Sequence, residues 1–130
     1  MIAKRKFVNS GLERQSLQRL NELVKEYLYI FGYEDPSDRK SNMENGTDYE
    51  SSRMIRILAS SEEEALLWGD EIAERYVQSL FGDMKVSWKA DRFASWIENS
   101  PDAEEKRLWD ELQVVNYGEF PNFTKLEEDV

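Results

Sequence analysis

Asp70 is the residue whose neighbours best equip it for chemistry. Placed on a helix at 100° per residue it falls among Leu66, Leu67, Val77 and Phe81. A carboxylate in such company is one that enzymes use as an acid by withdrawing water from it. Tyr76 and Lys89 are the side chains that would assist it. The plainer reading is an Asp at the rim of the core, because acids in apolar surroundings mark functional sites only statistically. The chain contains no His and no Cys, so acid–base work must fall to Asp, Glu, Lys or Tyr. Thiol nucleophiles, thiolate metal sites and His-based triads are thereby excluded, which leaves Asp70 as the candidate catalytic residue of a carboxylate-dependent hydrolase or isomerase.

The second concentration of chemistry is acidic. Asp and Glu number 27 against 17 Lys and Arg, a formal net charge of −10. Six of these acids, Glu34, Asp35, Asp38, Glu44, Asp48 and Glu50, fall in residues 34–52, together with Pro36 and Gly46 and almost no apolar side chain. That composition predicts a long acidic loop, and loops of this length are either functional or loosely held. As a functional feature it would bind a basic protein. The same charge opposes nucleic acid and anionic membranes, since like-charged surfaces repel before local contacts form. Lys85, Lys89 and Arg92 do surround Trp88 and Trp96, as in a single-strand platform. Strand alternation, however, turns Trp88 inward and the lysines outward.

No metal or cofactor site is expected. Aligning Gly46 with the invariant glycine of a calcium loop puts Met43 on a ligand position, where it cannot serve. The six glycines are scattered and make no phosphate-cradling pattern. The basic start Lys4-Arg5-Lys6 is followed by no apolar run of the secretory kind, and no stretch approaches 18 consecutive apolar residues. A cytoplasmic location is the simplest expectation.

The elements that must position these residues can be read from caps and periodicity. Ser10-Gly11-Leu12-Glu13 and Ser61-Glu62-Glu63-Glu64 have the capping-box form. The first opens a helix over about residues 11–26, with Leu17, Leu20, Leu23, Val24 and Tyr27 as a narrow stripe. The second opens a helix from Glu62 to Phe81 whose apolar arc, including Trp68, Ala65, Ile72, Ala73, Tyr76 and Val77, spans over half the circumference. Such a helix must be covered on more than one side, by a sheet and a second helix or by a partner chain. Gly69 lies inside that arc, where its cost in propensity fits a close backbone approach. Gly82 fits a left-handed helix end. Asn99-Ser100-Pro101-Asp102 supplies a third start.

Strands are expected at Glu26 to Tyr33, where the aromatic run also continues the period of the first helix and so reads as strand or helix, at Arg53 to Ala59 and at Met84 to Ala90. Tyr27, Tyr29, Phe31 and Tyr33 share one face of the first, and Met84, Val86, Trp88 and Ala90 one face of the last. The spacing of Phe93, Trp96 and Ile97 predicts a helical turn. From about residue 121 the tail is expected to be loose. The sum is one α+β domain, a two-layer sandwich of a three- or four-stranded sheet with packed helices, ferredoxin-like or related. Its functional expectations are an acidic interaction module for a basic partner, of the inhibitor or immunity type, then the carboxylate enzyme built on Asp70, and then a structural homodimer formed through the wide helix face.

Overall fold

The strand built on Tyr27 to Tyr33 is apolar on both faces, and a strand of that kind belongs in the middle of a sheet. It does so here. The computed structural model describes residues 23–128. In chain order the elements are β1 (Lys25–Tyr33), α1 (Pro36–Asn45), β2 (Ser51–Ala59), α2 (Glu62–Phe81), β3 (Ser95–Glu98), α3 (Ala103–Leu108), a 3-10 turn (Trp109–Glu111), β4 (Val114–Asn116) and α4 (Phe123–Glu128). The sheet order is β3-β1-β2-β4. β1 is antiparallel to both of its neighbours and β4 is parallel to β2. β2 and β3 therefore run the same way with β1 between them, and α2 makes the crossover of a split β-α-β unit. The result is the expected α+β fold, a four-stranded mixed sheet with helices packed on it. Of the helix expected over residues 11–26, all but the end lies outside the described residues, and Lys25 already belongs to β1.

α2 begins where its cap predicts. The Ser61 hydroxyl accepts from the Glu64 amide at 3.1 Å, and Gly82, with φ of 61°, closes the other end. The returning carboxylate of Glu64 goes one residue further back, to the Ser60 amide and hydroxyl. Ala65, Gly69, Ile72, Ala73, Tyr76 and Val77 are buried against Tyr29, Phe31, Tyr33, Ile55 and Ile57 of the sheet. Gly69 makes this contact possible. A Cβ at that position would lie 2.3 Å from the Tyr29 ring, so the close approach is to an aromatic face and not to another backbone.

The rest of the wide apolar arc is covered by segments of the same chain. Residues 83–94 bring Val86, Trp88 and Phe93 against the core, and the C-terminal segment brings Phe123 and Leu126. Residues 84–90 are thus not the strand that their alternation predicts, but a series of turns. Side chains of α2 take the backbone groups that a sheet would have used. Gln78 Nε2 donates to the carbonyls of Met84 and Val86, each at 3.1 Å, and Glu74 Oε1 accepts from the Lys89 amide at 2.9 Å. Trp88 is buried as its alternation requires and donates from Nε1 to the Gly32 carbonyl at 2.8 Å, whereas Met84 is 68% exposed. After a left-handed residue at Arg92, with φ of 61°, the chain enters β3 at Ser95, where the aromatic spacing predicts a helical turn. Pairing of Tyr29 with Ile97 and of Phe31 with Ser95 outweighs local periodicity there.

Two further expectations are corrected. The segment 34–52 is not one loop, because α1 occupies Pro36–Asn45 with Asp35 as its N-cap, Pro36 in its first turn and Gly46 at φ of 67° as its C-cap. The tail is not loose from residue 121. Pro121 and Leu126 are buried, Asn122 caps α4 by accepting from the Lys125 amide, and Arg53 Nε donates to the Leu126 carbonyl at 2.9 Å. The third helix is capped by Asp102 in a complete box with Glu105, so Pro101 falls before it and not inside it.

Two substitutions probe this packing by urea denaturation. Gly69→Ala is expected to lower stability by about 1–3 kcal/mol, as overpacking does, and Gly69→Ala combined with Tyr29→Leu to recover part of that loss. Gln78→Leu leaves two loop carbonyls without their donor and is expected to cost about 1–3 kcal/mol, with faster amide exchange confined to residues 83–92.

Candidate functional site

The same contact that seats α2 on β1 fixes Asp70. With Gly69 allowing the Tyr29 ring to lie against the helix, the phenol hydroxyl reaches Asp70 Oδ1 at 2.8 Å. Ser95, the first residue of β3, donates its hydroxyl to the same oxygen at 2.7 Å. Two donors on one carboxyl oxygen, Oδ1, fix the orientation of the group. Burial pushes the Tyr29 phenol well above its ordinary value, and the neighbouring charge of Asp70 and the hydrogen bond to it push it further. Tyr29 therefore stays protonated and serves as a permanent donor. The Tyr33 phenol is raised for a related reason, burial first and then the Tyr76 hydroxyl 3.3 Å away.

Asp70 also lines a cleft of about 360 Å³ together with Leu67, Trp68, Glu71, Lys89 and Tyr117. Its walls mix these charges with exposed apolar surface, since Leu67 is 61% and Tyr117 54% exposed. The Trp68 ring is held by donation from Nε1 to the Glu119 carbonyl at 2.7 Å, with the Phe120 ring centroid at 4.9 Å and that of Tyr117 at 5.8 Å. Across the cleft Lys89 Nζ contacts both Glu71 oxygens, at 2.6 and 2.7 Å. Both partners are nearly half exposed, and a pair of that kind contributes little net stability and is easily exchanged. The pocket thus combines aromatic faces, two adjacent carboxylates and one loosely held internal cation. Carboxylates and aromatic faces are both receptive to ammonium and guanidinium groups.

No family model, curated protein or solved structure matches this chain. What it does must be argued from the geometry of its surfaces.

Of the residues singled out in the sequence, the structure brings Asp70 and Lys89 into one cleft. It does not bring Tyr76 there, since that hydroxyl is engaged by Tyr33 inside the core. The six acids of residues 34–52 divide into two groups. Glu34 accepts from Arg39 Nε at 3.2 Å and Asn42 Nδ2 at 2.5 Å, Asp35 caps α1, and Asp38 accepts from the Ser51 hydroxyl at 3.1 Å. These three have structural employment. Glu44, Asp48 and Glu50 are exposed. Among the described residues there is no cluster of three or more metal-ligating side chains, and no helix is long and apolar enough to cross a membrane.

Sequence reasoning missed Glu71, Tyr117 and Ser95 as members of the site. Glu71 sits on the polar stripe of α2 and reads as a solvated charge. Tyr117 and Ser95 come from segments whose placement depends on β3 and β4, strands of four and three residues that periodicity cannot resolve.

The hydroxyl network gives two expected outcomes. Tyr29→Phe should cost about 1.5–3 kcal/mol in denaturant titrations, the worth of a hydrogen bond to a charged acceptor. The raised phenols of Tyr29 and Tyr33 contribute stability that is fully present below pH 10, their ordinary value, and is lost as pH rises above it, because the unfolded chain then ionises and the folded chain resists. Stability measured from pH 8 to 11.5 should fall above pH 10, and Tyr29→Phe should make that fall shallower.

Proposed function

We propose that this chain is a non-catalytic interaction module that binds a basic protein partner, in the manner of an inhibitor or immunity-type protein. The observation that carries the reading is the cleft that Asp70 and Glu71 line together with exposed Leu67 and Tyr117 and half-buried Trp68. Apolar and aromatic groups of this kind are what contact patches concentrate. Adjacent carboxylates set among them select a partner that presents Arg or Lys. The net charge of −10 would add long-range attraction to the same partner and speed the encounter. Lys89 already makes the contact expected of an incoming cation, and its exposed pairing with Glu71 can give way to a partner side chain with little loss.

The homodimer reading loses much of its motive, because the wide apolar arc of α2 is covered by the sheet, by residues 83–94 and by the C-terminal segment. The enzymatic reading keeps one specific support, the part-buried Asp70 carboxylate held by two hydroxyls at the wall of a cleft. Its test is a substrate screen in which Asp70→Asn stays folded and loses whatever activity the unaltered chain shows.

Affinity capture from native extract at low and at high salt separates these possibilities. A basic protein should be retained at low salt and released as screening shortens from about 10 Å at 0.1 M to about 3 Å at 1 M. Glu71→Gln and Leu67→Asp should each weaken the purified complex about tenfold, ~1.4 kcal/mol. A partner whose retention ignores both salt and these substitutions would remove the reading.

A further inference from the structure

Where β4 stops, β2 does not. β4 pairs only with Arg56, Ile57 and Leu58, while β2 continues back to Ser51. The Arg56 amide donates to the Gln113 carbonyl and the Leu58 carbonyl accepts from the Tyr117 amide, so the backbone groups of the even-numbered residues of β2 point to the β4 side. By strand alternation those of Ser52 and Met54 point the same way. Among the described residues no backbone group pairs with Met54 on that side, and the Ser52 carbonyl is met only by Arg53 Nη1 at 2.8 Å. An open strand edge is a template for another chain, and proteins usually blunt or cover it.

This edge forms the floor of a groove of about 590 Å³, lined by Ser51, Ser52, Arg53 and Met54 with Leu108, Glu111, Leu112 and Glu128. Two arginines of β2 brace its walls. Arg56 donates from Nη2 to the Leu112 carbonyl and lies over the Trp109 ring, which ties the 3-10 turn and the residue after it in place beside the β2 edge. Arg53 donates to the carbonyls of Leu126 and Glu127 and holds the end of α4 on the other side. The slot between them is therefore preformed.

The geometry points to a β-augmentation site, in which an extended segment of a basic partner adds to the Ser51–Met54 edge of β2 and continues the line of β4. Main-chain hydrogen bonds from Ser52 and Met54 supply affinity, and alternate side chains meet different walls. Met54, Leu108 and Leu112 offer apolar contact; Glu111 and Glu128 offer carboxylates, and exposed Glu50 directly precedes the edge. An occupant alternating Lys or Arg with aliphatic residues matches that arrangement. This site shares with the proposed function only the charge of the partner, for it lies on a different element and uses a different mode of contact.

The test is a titration of the isotopically labelled full chain with an eight-residue peptide alternating Lys and Val, followed by amide NMR and hydrogen exchange. Shifts and slowed exchange should centre on Ser52, Met54 and Gln113. Methylating alternate backbone nitrogens of the peptide, or introducing Glu111→Lys with Glu128→Lys, should weaken binding at least tenfold. Met54→Pro removes an outward N–H without touching the pairing with β1 and should do the same; if it unfolds the chain, the methylated peptide carries the test alone. Three results would overturn the proposal. One is equal binding of the methylated peptide. Another is a response confined to Leu67, Trp68 and Tyr117, which would leave the cleft reading standing and the groove without a role. The third is a Met54 amide already protected in the free chain and released by reversing the charges of Lys4, Arg5 and Lys6, which would show that the chain's own N-terminal segment fills the slot.

Discussion

Tyr29 lying flat against Gly69 is the contact on which the rest of this structure depends. A helix this rich in large apolar groups would normally stand off a sheet that presents Tyr29, Phe31 and Tyr33 in a row. The missing side chain at Gly69 lets one of those rings come within van der Waals reach of the helix backbone. The Phe31 ring then stacks against Tyr29 and meets Tyr76 and Trp88 edge-on, the arrangement aromatic quadrupoles favour. Because the Tyr29 hydroxyl ends at Asp70, the packing contact also sets the direction of a carboxylate at the cleft wall. Core and candidate site share one determinant.

A second theme is the replacement of strands by side chains. Among the described residues the sheet has two long strands, flanked by strands of four and three residues. What surrounds it is held by single residues reaching from regular elements to irregular backbone: Gln78 and Glu74 to residues 84–89, Trp88 to Gly32, Arg53 to α4, Arg56 to the turn before β4. Each gives a backbone group a defined partner. Arg39 ties elements together through side chains instead, bridging Glu34 beside α1 and Asp91 of the loop, with its guanidinium over the Phe81 ring.

This explains what the sequence could and could not disclose. β2 and α2 were legible because their signals are long, a branched run and a capped twenty-residue helix closed by Gly82, whereas the aromatics of β1 also continue the period of the preceding helix and so read either way. Residues 84–90 misled because clean alternation is also compatible with a loop whose carbonyls are met by a glutamine six and eight residues earlier, on α2. α1 was hidden by its lack of any buried side chain; it is held by its caps and by Glu34 and Asn42, so no apolar period marks it. Asp70 was found for a partly mistaken reason. Its decisive neighbours are Tyr29 and Ser95, both distant in sequence, and not the leucines beside it on the helix.

The acidic excess also resolves into parts with different roles. Glu34, Asp35 and Asp38 hold α1 together, Glu64 and Glu74 secure backbone around α2, and Asp70 and Glu71 face a cleft with aromatic walls. Charge that is used internally does not select a partner; charge beside exposed Leu67 and Tyr117 can. The whole account rests on the seat of Tyr29 against Gly69, and NMR measures that seat directly through nuclear Overhauser contacts between the Gly69 α-protons and the Tyr29 ring. Strong cross-peaks, with a slowly exchanging Tyr29 hydroxyl proton, are the expected result. Their absence in the folded chain would mean that α2 sits elsewhere on the sheet, and both the core and the cleft described above would fall with it.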